Sequence, residues 1–398
     1  MKLAKLSLAA VIAAGAFSVA NATPLEDAIK GVDLSGMLRI RYYNRTFDQG
    51  DTYNRWRTNG IFIFKVPVGD NLKMVYRSSV QSDVRVDDDS AINNAAAQVD
   101  PSATNNLLFM AYSNGPLNVI GGKIPVPTSV TSADPVTPGH GAGAIASYNV
   151  GYGFTVAGAF IDALKDGGGE GTAVGLPNTL PNTIYAAAVM YKNDMIKANM
   201  WYYTATNAVD YIYTVTADVT PMAGLKLHGD YAQGKLDTKL APKADSNSYY
   251  NLNVSYSMNG FTGMVGYAAT DKTAAGEARG PVELAVDAPI GASLPTANRY
   301  NIANMDDTDA WYAKLAYNVN AKTNVYAAYT SIDRSNHVAD VGNDGTPNND
   351  SDEYMVGAKY KYNKKLGFHV YYDVLDYDKS FPIANDENEF RVEARYNF

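Results

Sequence analysis

The chain has 398 residues, no cysteine, and 33 basic against 41 acidic side chains, a formal net charge of −8. Without cysteine there are no disulfides or thiolate metal sites, and the acidic balance disfavours a nucleic-acid partner, whose phosphates need a basic surface. With 30 tyrosines, 33 glycines and a mean hydropathy of −0.23, the chain is too polar for a bundle of membrane helices.

Residues 1–22 read as a secretory leader, a segment separate from the fold. Lys2 and Lys5 precede an apolar run from Leu6 to Val19, and Ala20-Asn21-Ala22 forms an A-x-A cleavage pattern. The run of about 14 residues is shorter than the roughly 20 of a spanning helix. The mature chain then starts at Thr23, and losing both lysines leaves 31 basic groups against 41 acidic, about −10.

Beyond the leader the apolar period is two. In LRIRYYNR, residues 38–45, Leu38, Ile40 and Tyr42 occupy one parity and Arg39, Arg41 and Arg45 the other. The second strand sets Trp56, Phe62, Phe64 and Val66 against Arg55 and Arg57, and the third sets Leu72, Met74 and Tyr76 against Lys73, Arg77 and Arg85. The final strand alternates Phe390, Val392, Ala394, Tyr396 and Phe398 with Glu389, Arg391, Glu393, Arg395 and Asn397. Side-chain direction flips at every strand residue, so a wall with hydrocarbon on one side and water on the other explains a greasy row beside a charged one.

Between these ends about 18 such runs are joined by alternating short and long connections. The short ones fall at 68–70, 114–116, 149–151, 192–194, 220–224, 259–260, 318–321 and 363–365. The long ones centre on 48–54, 85–105, 125–143, 163–181, 204–209, 237–246, 271–308, 333–351 and 378–387. Eight turns and nine loops fit an all-β fold, a transmembrane antiparallel barrel of about 18 strands with short periplasmic turns and long external loops. Residues 23–398 form its single domain. A soluble β-sandwich shares the alternation but explains poorly why tyrosine pairs such as Tyr202-Tyr203, Tyr249-Tyr250 and Tyr371-Tyr372 stand near strand ends, as interfacial girdles do.

Parity places Arg39, Arg41, Arg45, Arg55, Arg57, Lys73 and Arg77 toward the lumen, joined across the closing seam by Arg391 and Arg395. Local pairing with Asp83, Glu389 and Glu393 competes with a net positive wall, and the wall is the reading we carry forward. A pore this wide sieves small solutes only if something folds into it. The candidate is PVPTSVTSADPVTPGHGAG, residues 125–143, stiffened by prolines and carrying one carboxylate, Asp134. The same composition also suits an exposed loop. Of the four histidines, His140, His228, His337 and His369, none has a catalytic motif around it, so no enzyme is expected.

MKLAKLSLAAVIAAGAFSVANATPLEDAIKGVDLSGMLRIRY (1–42), with LLFMAYSNGPLNVIGGK (107–123), FTVAGAFIDAL (154–164) and the C-terminal strand, resembles the major outer-membrane porins of Campylobacter and related epsilonproteobacteria. That resemblance implies an 18-stranded homotrimeric barrel in the bacterial outer membrane, a third loop folded into the lumen and a cation-preferring pore. It also implies calcium at the constriction, with Asp134 and Asp162 as the matching carboxylates; calcium takes six to eight oxygens, so backbone carbonyls, water and another acid, Glu283 or Asp287 of the long loop, would complete the shell. Strict parity from Phe154, Val156 and Phe160 aims Asp162 outward, so as a ligand it needs a bulge or a place above the membrane rim.

The expected function is passive diffusion of ions and small hydrophilic solutes. A modest cation preference would be supported by loop carboxylates Asp87, Asp88, Asp89, Asp306, Asp307, Asp309, Asp350, Asp352 and Glu353. A solute-specific channel and a surface adhesin are the alternatives.

Overall fold

The computed structural model describes residues 31–48, 52–87, 98–136, 138–165, 179–180, 183–274, 276–285, 288–290, 294–296, 302–334, 350–377 and 386–398. Residues 1–22 and His337 lie outside them. Strands β1 (Asp33–Phe47), β2 (Tyr53–Gly69), β3 (Leu72–Asp87), β4 (Gln98–Asn114), β5 (Leu117–Pro125), β6 (His140–Gly151) and β7 (Phe154–Lys165) come first. A two-residue β8 (Thr179–Leu180) follows, then β9 (Ile184–Lys192), β10 (Ile196–Ala205), β11 (Val209–Met222), β12 (Leu225–Leu236), β13 (Ser246–Met258) and β14 (Phe261–Thr270). The chain ends through β15 (Thr308–Asn318), β16 (Thr323–Arg334), β17 (Ser351–Lys361), β18 (Leu366–Tyr377) and β19 (Glu387–Asn397).

Every pairing between these strands is antiparallel, and β8 adds only two residues beside β7, which pairs fully with β9. The wall is therefore a ring of 18 strands closed by β1 against β19. At the seam Gly36 and Phe398 each donate a backbone N–H to the other's carbonyl, at 3.0 and 3.1 Å. Closure leaves no unpaired strand edge, a requirement for backbone immersed in hydrocarbon.

The side chains alternate as the period predicts. On β13, Tyr250, Leu252, Val254 and Tyr256 are exposed while Tyr249 and Asn251 are buried. Outward rings pair across strands, Tyr42 with Trp56 at 4.8 Å and Tyr267 with Trp311 at 4.5 Å between centroids. Leu252, 63% exposed, stands mid-strand on the outer face. Leu252→Arg is expected to lower stability by about 2–4 kcal/mol in a lipid bilayer. The inward Asn253→Arg should lower it less, and equal urea midpoints for the two variants would place Leu252 away from lipid.

One turn lies later than its sequence signal. Asn149-Val150-Gly151 reads as the β6–β7 turn, yet the chain reverses at Tyr152-Gly153, both left-handed, with φ of 52° and 86°. Gly151 is a bulge instead, its N–H bound by the Asn149 side chain at 2.9 Å. At the β13–β14 connection Asn259-Gly260 sits where expected, with φ of 50° and 85°, the pair a two-residue hairpin turn requires.

On the inner wall two tyrosines lean across glycines. Tyr312 of β15 lies over Gly266 of β14 to reach Asn251 and Asn253 of β13. Tyr326 of β16 lies over Gly357 of β17, and its hydroxyl meets His369 of β18 at 2.8 Å. A Cβ on Gly357 would come within 2.5 Å of the Tyr326 hydroxyl, so only glycine leaves the ring its berth.

Candidate functional site

The arginines predicted for the lumen share one face, and antiparallel register sets their neighbours. Arg41 stands between Arg57 on β2 and Glu393 on β19, and Arg39 stands between Asn59 and Arg395. Like charges set directly opposite one another are destabilising, so the wall tolerates a positive sector here.

Part of that sector is neutralised locally. Asp83 takes two hydrogen bonds from Arg55, at 2.6 and 2.5 Å, and one from Arg57 at 2.9 Å. Arg45 reaches Glu389 at 2.6 Å and Glu387 at 3.3 Å, while Arg391 also binds Glu389 at 2.6 Å. Arg395 pairs with Glu393 at 3.1 Å. Tyr43, buried between them, lies beneath the guanidinium groups of Arg55 and Arg391, and Arg85 stacks on Tyr53 at 4.0 Å.

Arg39, Arg41, Lys73 and Arg77 form no carboxylate ion pair among the described residues. Arg39 is buried and donates to the Asn59 amide oxygen at 3.2 and 3.3 Å. Arg77, also buried, donates to the carbonyls of Pro135 and Val136 at 2.5 and 3.0 Å. Lys73 is exposed near the β2–β3 turn, below the main group.

The third loop crosses the lumen. Its Val136 packs on Met37 of β1 and Ile61 of β2, and its Ser129 hydroxyl meets Tyr203 of β10 at 3.1 Å and Thr214 of β11 at 2.7 Å. Strands β1 and β11 are nine steps apart on the ring of 18, diametrically opposite. Seven residues of chain reach at most roughly 25 Å, whereas nine strand spacings round the wall need about 43 Å. The loop therefore runs as a strut along a chord. On the β5–β10 side Ile124, Val126 and Val130 close against Ile161, Trp201 and Ile212 in an apolar cluster. Asp134, on this loop, faces Arg39 and Arg77 within electrostatic reach.

The seventh loop, residues 271–308, also folds inward, which its sequence had not announced. Val282, Ile290, Leu294, Ile302 and Met305 bury themselves against Tyr249, Tyr312, Ile332 and Leu375 of the wall. Its backbone latches onto the strut, Leu284 N–H to Val130 C=O at 2.6 Å and Ile290 N–H to Ser129 C=O at 3.0 Å. The signal was present in PVELAVDAPIGASLP, an apolar, proline-punctuated run that an ordinary wet loop has no use for. The intervening acids Glu283 and Asp287 obscured it. Asp287 lies outside the described residues, while Glu283 is buried within the loop.

Opposite the arginines, His228 of β12 sits between two carboxylates, Asp218 at 2.8 Å and Asp230 at 2.7 Å, with Lys226 also on Asp218 at 2.9 Å. Asn251 donates to Asp230 at 3.2 Å and ties this group to Tyr312. Sequence reading passed over this cluster because its members lie on adjacent strands.

Several mouth carboxylates have structural roles. Asp306 is buried and accepts from Thr273 N–H and Oγ1, both at 2.7 Å. Asp307 pairs with Lys272 at 3.0 Å, Asp350 accepts from Arg334 N–H at 2.8 Å, and Asp352 accepts from the Tyr329 hydroxyl at 2.7 Å. Asp309 takes the Tyr267 hydroxyl, and Glu353 is buried in the wall. Asp88 and Asp89 lie outside the described residues, as does the side chain of Asp87.

The two carboxylates matched to calcium do not converge. Asp162 is the extra residue of a bulge between Ile161 and Ala163, keeps the outward parity of Phe154, Val156 and Phe160, and accepts from Thr183 Oγ1 at 3.3 Å on the exposed face. Asp134 is inside, with Oδ1 committed to Val136 N–H at 2.6 Å. Calcium needs six to eight oxygens around one point. Among the described residues no three Asp, Glu or His side chains gather that way. Asp134 stands on the strut inside the barrel and Asp162 on its outer face.

A family model described as Campylobacter major outer membrane protein matches residues 1–398. Solved structures share the fold. OccAB1 of Acinetobacter baumannii superposes with a TM-score of 0.72 at 12% identity, over 92% of this chain and 96% of its own. OccK5 (OpdH) of Pseudomonas aeruginosa gives 0.69 at 14% identity, over 93% and 98%. No curated protein sequence matches.

Proposed function

Because the chain belongs to the Campylobacter major outer membrane protein family, a channel of the outer membrane and not an enzyme, we propose that it passes ions and small hydrophilic solutes by passive diffusion with a modest cation preference. The observation that carries this reading is the strut across a polar lumen inside an outwardly apolar ring. With the β5–β10 side sealed by apolar packing, the path runs along the other side. There Arg41, Arg57, Arg391 and Arg395 line the wall, Asp134 on the strut faces Arg39 and Arg77, and Asp218 and Asp230 lie across the lumen.

Opposed charges of this kind set a transverse field that draws cations and anions along different sides. The acidic excess of the mature chain, with Asp309, Asp333 and Asp352 at the long-loop end, supports cation enrichment before entry. Single-channel conductance across a salt gradient tests the proposal. A reversal potential on the cation side is expected, and repeating the measurement with a calcium chelator tests the bound ion that the resemblance implies. The absence of any step conductance from folded protein would defeat the pore reading. The homotrimer that the resemblance implies is part of the same proposal, and native mass measurement in detergent tests it.

A further inference from the structure

The lower inner wall of β15–β18 holds a second cationic group, next along the ring from the arginines of β19. Lys314 of β15 and Lys359 of β17 both address the ring of Tyr326, with ammonium-to-centroid distances of 4.7 and 5.8 Å. That ring lies in the berth left by Gly357, and its hydroxyl holds His369. With the hydroxyl donating to Nε2, the imidazole keeps its proton on Nδ1.

The tip of the seventh loop, Leu294-Pro295-Thr296, closes over this wall, with Leu294 and Thr296 buried. Between tip and wall is a cavity of about 190 Å³ lined by Lys314, Tyr326, Lys359 and His369. It adjoins a larger one of about 390 Å³ at the β17–β18 turn, which shares Lys359 and His369 and adds Lys361, Lys364, Lys365 and Arg395. The facing acids are few. Glu393 is held by Arg395, while Glu353 stands three inward positions above Lys359 on β17 and Asp373 two above His369 on β18.

Two ammonium groups gathered at one ring under an apolar lid repel each other, and neither forms an ion pair among the described residues. A bound anion would turn that repulsion into attraction. The donors also discriminate between anions. No guanidinium lines the smaller cavity, so the planar fork that best fits a carboxylate is missing. Compact ammonium groups from separate strands suit an oxyanion with oxygens in several directions.

We propose that this cavity binds a small tetrahedral oxyanion of the inorganic phosphate class, giving the channel a saturable step on its periplasmic side. The proposal rests on the lumen being conductive, and the test separates the two. In planar bilayers at low ionic strength, where charges are least screened, inorganic phosphate should reduce the single-channel chloride current saturably. Lys314→Gln with Lys359→Gln should raise the half-blocking concentration about tenfold, the equivalent of about 1.4 kcal/mol.

Gly357→Ala keeps every cation but evicts the Tyr326 ring, and should also weaken the block. Potassium chloride current in each variant shows that the channel is folded and open. Non-saturable reduction in the wild type, an unchanged half-blocking concentration in the double variant, or equal block by acetate would each overturn the site while leaving the pore intact. A silent wild-type protein would instead bring down the pore reading.

Discussion

Replacing Arg39, Arg41 and Arg57 by glutamine is expected to raise the ratio of potassium to chloride permeability about fivefold. That follows from a change in ion energy of about 1 kcal/mol, the scale of one charge at contact distance in water. The three differ in how firmly they are held. Arg41 stands between Arg57 on β2 and Glu393 on β19, a carboxylate bound by Arg395, Arg39 donates to the Asn59 amide and faces Asp134, and Arg57 shares Asp83 with Arg55. Glutamine keeps a hydrogen-bonding head at each position, and Asp83 keeps Arg55, so the wall should assemble. The reversal potential under a potassium chloride gradient reads the outcome. A value identical to that of the parent channel would remove these arginines from the permeation path.

Unlatching the two inner loops should have the larger effect on conductance. Leu284→Pro with Ile290→Pro deletes the two N–H groups that bind the carbonyls of Val130 and Ser129, at 2.6 and 3.0 Å, while leaving the strand wall untouched. Each carbonyl left buried without a donor costs about 1–3 kcal/mol, enough to favour release of the seventh loop. Single-channel conductance is expected to rise roughly twofold with noisier open states, because a constriction that gates by its shape loses its brace. Parental conductance in a variant that retains its thermal stability would show that the latch does not set the passage.

The ring and its inside–outside pattern were legible because strand parity depends only on local alternation. Leu38, Ile40 and Tyr42 against Arg39 and Arg41 needed no partner strand to be read. Charge balance was less legible. Whether Arg45 meets Glu389, or Arg41 merely stands opposite Glu393, depends on the register of β1 against β19, which parity leaves open to any even shift. The prolines of the third loop suited a strut and an exposed loop alike, and it was the resemblance that placed it in the lumen, whereas the seventh loop, with the same punctuation, was hidden behind Glu283 and Asp287. The berth of Tyr326 on Gly357 was invisible, because neither residue is unusual until β16 and β17 lie side by side. Asp162 shows the reverse. Its parity already pointed it outward, and the structure keeps it there at a bulge, away from the Asp134 that resemblance paired it with.

The Gly36–Phe398 seam has a consequence for biogenesis. Nucleation at any hairpin can spread to its neighbours, but the cylinder cannot be zipped shut until both flanks have been synthesised and brought together. Through transit to the membrane, two naked strands would offer their backbone to any other polypeptide in the compartment. A chaperoned, unfolded carrier form is then a demand of the topology itself, and the slowest event in maturation is the meeting of its two most distant segments.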